Sequence, residues 1–215
     1  MANSFFPACK VLGKYPEISR KIEDYLKLRF DDLKIENCCK ASSTSISNGD
    51  TVIYVCTACN MYLGDNTPPE SFKSIWELID NDDSFVLPNH QGKVMTIQDC
   101  WKVPNERKLH DATRNLLNKM KIGVVELEKN KEAADFCGKY LYDPSMKQFA
   151  KISQRVAKYQ NEFFKPHSDE AYIKIMKNHS SQITTDEVVC YCGACRDGLI
   201  DGGKVVFHLA ELVFG

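Results

Sequence analysis

The sequence predicts an α/β protein made of two pseudo-symmetric halves, each a small parallel sheet flanked by helices. Three observations carry this expectation. Short apolar, β-branched runs alternate with amphipathic helical stretches, the same order of elements occurs twice, and cysteines fall directly after the apolar runs. The repeat unit reads strand–Cys, helix, strand–Cys, then strand–CxxC. The two copies are expected at residues 1–90 and 91–215.

In the first copy, Ser4–Ala8 is a short apolar run ending at Cys9. Pro16–Arg29 reads as a helix, because Ile18, Ile22, Tyr25 and Leu26 recur at helical spacing and Pro16 suits the first turn. Leu33–Asn37 is a short strand ending at Cys38-Cys39. Thr51–Val55 is a buried strand ending at Cys56, and Cys59–Leu63 leads into a turn at Gly64-Asp65-Asn66. Ser71–Ile79 reads as helical or mixed.

The second copy opens with Val94–Asp99, a strand ending at Cys100. Asn105–Lys121 is a helix with Leu109, Leu116, Leu117 and Met120 on one face, closed by Gly123. Val124–Leu127 is a strand core, and Cys137 follows after a polar stretch. A helical, polar insertion is expected over about 143–178, of a kind that usually forms a solvated helix pair and less often docks a partner. Glu187–Tyr191 is a strand ending at Cys192, and Lys204–Phe214 reads as a final amphipathic helix after Gly202-Gly203.

Composition narrows the function. The 215 residues carry a net charge of −1, which gives no basic footprint for nucleic acid. No stretch approaches the roughly 18 apolar residues of a membrane helix, and the opening MANSFFPACKVLGK lacks the basic and apolar regions of an export signal. A cytoplasmic, reducing location is therefore expected. Ten cysteines in a chain of this length fall below the roughly 8–10% density of disulfide scaffolds. Clustered thiols in that setting point to metal or cluster ligation.

The grouping follows from topology. In open α/β sheets, ligands bind beyond the carboxyl ends of the strands. That places Cys9, Cys38, Cys39, Cys56 and Cys59 around one point, and Cys100, Cys137, Cys192 and Cys195 around another, with Cys190 nearby. Thiolates select iron–sulfur clusters, zinc or copper(I). The neighbouring pair Cys38-Cys39 fits poorly on one tetrahedral ion and better on a multi-iron cluster, so a cluster is favoured over zinc in the first half.

Cys9, Cys38-Cys39-Lys40 and Cys56-Thr57-Ala58-Cys59 together resemble the cysteine-rich CCG domain, C…CCG…CxxC, with Lys40 in place of the glycine. That family includes the cysteine-rich subunits of heterodisulfide reductase and of the lactate, glycolate and glycerol-3-phosphate oxidation complexes. The resemblance covers nearly the whole chain. It implies two α/β halves and, in the first, a noncubane [4Fe-4S] cluster held by Cys9, Cys38, Cys39, Cys56 and Cys59. The second half matches at Cys100, Cys137, Gly138, Cys192 and Cys195, but Phe136 stands at the place of the first motif cysteine. A four-cysteine zinc site, a cubane cluster or no metal remain open there. Cys190 is either a compensating ligand two residues before Cys192 or a core thiol.

The resemblance further implies electron transfer or disulfide/thiol reduction within a larger oxidoreductase. The chain has neither a ferredoxin-type CxxCxxCxxxC run nor a flavin or nicotinamide fingerprint. A ferredoxin-like or flavoprotein electron-transfer partner is therefore expected. Two other readings stand beside it: a zinc-stabilised, non-catalytic binding module, and a thiol enzyme using a bare CxxC. Around the sites, Arg196 and Lys40 read as cations beside the ligands or as solvated charges. Trp101 reads as core packing or a shield. His90, His110, His167, His179 and His208 show no ligand spacing.

Overall fold

The computed structural model describes residues 3–36, 39, 46, 49–64 and 72–215, with the backbone alone for 10–12. Asn37, Cys38, Lys40, Asp65, Asn66 and Ser71 lie outside the described residues.

Two four-stranded sheets, each wholly parallel, make the two pseudo-symmetric halves. The first contains β1 (Asn3–Phe6), β2 (Leu33–Ile35), β3 (Thr51–Tyr54) and β4 (Phe72–Ser74), in the order β2-β1-β3-β4. The second contains β5 (Val94–Gln98), β6 (Gly123–Glu126), β7 (Glu187–Cys190) and β8 (Val205–His208), in the equivalent order β6-β5-β7-β8. The central strands are apolar on both faces because helices cover both sides of a parallel sheet. Phe5, Phe6, Val52, Ile53 and Tyr54 are buried in one sheet, and Met95, Ile97, Val188 and Val189 in the other.

The helices follow the periodicity. α1 (Cys9–Lys14) starts at the first cysteine, and α2 (Pro16–Lys27) buries Ile18, Ile22, Tyr25 and Leu26. α3 (Thr57–Gly64) carries the first CxxC turn into the core, followed by α4 (Ile75–Asp80). In the second half, α5 (Arg107–Lys119) buries Leu109, Leu116 and Leu117. α6 (Gln154–Tyr159), α7 (Asp169–Ser180), α8 (Gly193–Asp201) and α9 (Leu209–Phe214) complete the set. The halves are joined through their helices: α4 packs on α5, and α9 packs on α2. Asp80 accepts from Asn115 and pairs with Lys119 across the first contact. Phe85 stands edge-on to both Tyr25 and Phe214 at the second.

Two expectations need correction. Lys204–Phe214 is not one helix: Val205–His208 is a strand, paired in parallel with β7, and only Leu209–Phe214 is helical. The β-branched Val205-Val206 pair suits a pleated surface and gains the ladder bonds of β7. The segment expected over Ser71–Ile79 as helical or mixed is indeed mixed, dividing the same way into β4 and α4. At both junctions a glutamate closes the helix start: Glu77 accepts from the Ser74 backbone N–H, and Glu211 from that of His208. The pair Ile75-Trp76-Glu77-Leu78 and Leu209-Ala210-Glu211-Leu212 is a repeat signal that would have revealed both fourth strands.

The second correction concerns the insertion over 143–178. It comprises a 3-10 stretch at Pro144–Lys151, then α6 and α7, and it is no solvated helix pair. Val156, Phe164 and Met176 are fully buried. Trp101 lies edge-on to Tyr159, Phe163 and Phe164, so the insertion closes over the end of β5.

Candidate metal centre

Four positions in the second half deliver one sulfur each to a common point. Cys100 sits just past β5, Cys137 precedes the 3-10 turn Gly138–Tyr142, Cys192 caps the start of α8, and Cys195 lies in its first turn. Their four Sγ atoms lie within 4.8 Å of one another. Cys100 and Cys137 are 3.5 Å apart, and Cys137 and Cys192 are 3.8 Å apart. All four are buried. Convergent, buried thiols with these spacings can hold a metal ion, because thiolates are soft ligands and the four sulfurs surround one centre.

The backbone around them is closely constrained. Gly138 has φ +48°, and a Cβ there would lie 2.0 Å from the Ala194 carbonyl oxygen, inside the second CxxC turn. Gly138 thus lets the Cys137 loop dock on the Cys192–Cys195 loop. The Phe136 carbonyl accepts from the Trp101 N–H at 3.1 Å and from the Cys195 thiol at 3.6 Å. Its ring stacks on His179 at 3.7 Å. Phe136, the residue before Cys137, therefore packs its ring away from the sulfurs and contributes backbone alone to the centre.

An ionic tie holds the strand ends. Asp99, next to Cys100, takes a two-pronged bond from Arg114 at 2.7 and 3.0 Å. It also accepts from the Tyr191 hydroxyl at 2.7 Å and the Lys131 N–H at 2.8 Å. Tyr191 precedes Cys192, so one carboxylate fixes the ends of β5 and β7 together. Burial opposes ionisation of Asp99, but Arg114 and the other donors outweigh it and hold its carboxyl below the usual range.

The cation at the centre is Lys102, which nothing in its sequence context singles out. Its side chain is 3% exposed. Nζ donates to the Cys137 sulfur at 2.6 Å, lies 4.0 Å from the Cys192 sulfur, and rests 3.7 Å above the Tyr140 ring. Burial would pull the ammonium down, but the sulfurs of Cys137, Cys192 and Cys100 push it well above its ordinary range. Hydrogen bonds from Cys100, Cys137 and Cys195 hold Cys192 well below the usual thiol range, while burial pushes Cys195 up. Arg196 is turned away, paired with Glu211 and lying near the Tyr15 ring.

Cys190 stands outside the four-sulfur group. The strand ends at Cys190, and Cys192 has already turned to cap α8, so the two side chains do not share a strand face as expected. The Cys190 thiol donates to the Cys192 carbonyl at 3.6 Å, in a fully buried position. His110 and His208 are also buried, with their ring nitrogens outside the sulfur group. Burial pushes His208 down to about 4, so it is neutral near pH 7, and its Nδ1 accepts from the Ala210 N–H.

The first-half cysteines border a second space. Cys9, Cys39, Cys56 and Cys59 line one cavity of about 350 Å³. Cys59 lies within hydrogen-bond reach of both Cys39 and Cys56. Cys39 and Cys59 are buried, Cys56 is half-buried, and Cys9 is exposed at the rim. Cys38 lies outside the described residues. Hydrogen bonding from Cys59 draws the Cys56 thiol down to about 7 against the cost of burial. The far wall of this cavity is second-half structure: Cys192, Lys102 and Tyr140. Thr57, at the start of α3, reaches back to the Cys100 sulfur at 3.5 Å. The two cysteine groups are therefore neighbours across one cleft between the sheets' strand ends.

Among the described residues, no helix is long and apolar enough to cross a membrane. No family model matches the chain, and no curated protein or solved structure matches it.

Proposed function

We propose that this chain is a cysteine-rich metalloprotein of the CCG type, working in electron transfer or disulfide/thiol reduction as one component of a larger oxidoreductase. In this reading Cys9, Cys38, Cys39, Cys56 and Cys59 hold an iron–sulfur cluster, and Cys100, Cys137, Cys192 and Cys195 hold a single tetrahedral ion of the zinc class. The observation that carries the reading is the convergence of four buried sulfurs within 4.8 Å, next to a cavity edged by the other cysteine set.

The assignment of the two centres rests on spacing. A zinc–sulfur bond of about 2.3 Å puts tetrahedral ligands about 3.8 Å apart. The Cys137–Cys192 distance of 3.8 Å agrees with that edge. Ligands of a cubane sit on four different irons and stand farther apart than this. The first-half cysteines run from the close set Cys39, Cys56 and Cys59 to Cys9 at the solvent rim, along a cavity of about 350 Å³ that has room for a multi-atom cofactor.

A cluster in that space would supply one-electron steps at a potential set by its ligands, burial and hydrogen bonds. The protein's own residues hold the sulfurs, bring Lys102 to the wall between the centres, and leave Cys9 at the rim where substrate or a ferredoxin-like or flavoprotein partner would arrive. A second reading keeps the metal and drops the redox role: a zinc-stabilised binding module. The ring packing of Phe136 in the motif position favours it, since the second half then has structural sulfurs alone.

Metal and sulfide counts on protein purified without oxygen separate the two. The redox reading predicts brown protein with more than about two irons per chain, iron lost in Cys39→Ser, and zinc lost in Cys137→Ser. Colourless protein with zinc as its only metal would establish the binding-module reading instead.

A further inference from the structure

A second cavity, of about 370 Å³, lies on the other side of Lys102 from the cysteine-lined cleft. Its walls are apolar at Met61, Phe72, Val103, Pro104 and Tyr159. Two cations of α6, Arg155 and Lys158, border it at positions one helical turn apart. Arg155 lies 4.3 Å from the Trp101 ring, and Lys158 lies 5.0 Å from the Tyr159 ring.

The charge balance of this cavity is unusual. Arg155 Nε is buried without an acceptor. Among the described residues, every ion pair lies elsewhere: none joins a carboxylate to Arg155 or Lys158. Burial is the main influence on the Arg155 guanidinium, and it lowers its affinity for the proton. A guanidinium stacked on a ring uses its face and leaves its N–H fork free for a planar oxyanion. Lys102 also borders the cavity, but its ammonium is committed to Cys137. Glu106 on the same wall repels a doubly charged ligand.

We propose that this cavity binds a small organic monocarboxylate with an apolar or aromatic body. The carboxylate takes the Arg155 fork, with Lys158 beside it, and the body lies against Phe72, Met61 and Tyr159. One negative charge complements the two α6 cations net of Glu106. The apolar walls give a carboxylic acid with a ring or chain an advantage over a bare anion, because its body leaves water for them. Arg155 also feels the Cys100 and Cys137 sulfurs, but no group named here for the carboxylate is a sulfur ligand, so the site stands whether or not the redox reading holds.

Calorimetric titration of the metal-loaded protein with phenylacetate, acetate and inorganic phosphate tests it. Phenylacetate should bind more tightly than either of the others and should alter the fluorescence of Trp101, which lies under Arg155. Arg155→Gln should weaken binding at least about tenfold, as expected for loss of a charge-assisted fork, and Arg155→Lys should restore part of it. Lys158→Gln should give a smaller loss, and it provides an independent arm if the Arg155 variants do not fold. No binding of phenylacetate at millimolar concentration would overturn the proposal. So would phosphate binding more tightly than phenylacetate, or unchanged affinity in folded Arg155→Gln or Lys158→Gln protein.

Discussion

At the scale of single residues, the feature with the largest consequence is a buried lysine facing buried sulfurs. An ammonium removed from water costs several kcal/mol unless an opposite charge lies close by. Lys102 finds that charge in Cys137 and Cys192, and the sulfurs find theirs in Lys102. Lys102→Met should therefore leave the sulfurs without the ammonium that bonds Cys137. Chelator competition should show metal affinity at the Cys100–Cys195 group falling, with a destabilisation of about 3 kcal/mol, as for breaking a buried pair. Unchanged affinity in the variant would mean that the ammonium only fills space. None of this was legible in the sequence. A lysine two positions after a cysteine reads like any solvated charge, and only closure of the insertion over Trp101 and Tyr140 buries it. Cys190 shows the opposite case: proximity to Cys192 in sequence suggested a shared face, and a single turn at the helix cap separates them.

At the scale of elements, the ligands are placed by strand ends, and the strand ends are placed by Asp99. Its bonds to Arg114, Tyr191 and the Lys131 N–H join β5, β7 and α5 at the edge of the centre. Arg114 also holds Glu126 at the end of β6, so three of the four strands of the second sheet are tied to one guanidinium–carboxylate pair. The folded carboxyl titrates below its unfolded value, so the contribution is present above the unfolded carboxylate pKa of about 3.9 and is lost as pH falls through the folded one. Asp99→Asn should lower the unfolding free energy by about 3 kcal/mol near neutral pH, the cost of leaving Arg114 with a broken buried pair. It should also flatten the acid limb of stability against pH in chemical denaturation. An acid limb identical to the parent's would assign that limb to other carboxylates.

Elements were also where the sequence spoke most clearly. Apolar runs such as Thr51–Tyr54 and Val94–Gln98 are continuous because both faces of a parallel strand are covered, and the cysteines mark their carboxyl ends. The edge strands Phe72–Ser74 and Val205–His208 were hidden. Each is short and runs straight into an apolar helix, so periodicity alone merges strand and helix into one segment.

At the scale of the whole molecule, two copies of one sheet topology face each other with their strand ends together, and helices α2, α4, α5 and α9 hold the pairing. The copies have diverged at the site more than in the framework. The first has a cysteine cavity with a rim open to solvent, and the second a closed set of four sulfurs with the Phe136 ring packed beside it. The grouping of Cys100, Cys137, Cys192 and Cys195 was legible, because strand ends converge in any open α/β sheet. The contact between the groups, through Thr57, Lys102 and Cys192, was not, because it depends on how the two sheets are set against each other. The central claim is that the second group holds one ion in an all-sulfur tetrahedron while the first holds a cluster. X-ray absorption at the zinc and iron edges of anaerobically purified protein tests it most directly. The account predicts zinc with four sulfur neighbours at about 2.3 Å and no nearby metal, and iron with iron–iron scattering that disappears in Cys39→Ser. Zinc with oxygen or nitrogen neighbours, or no metal lost in Cys137→Ser, would contradict it.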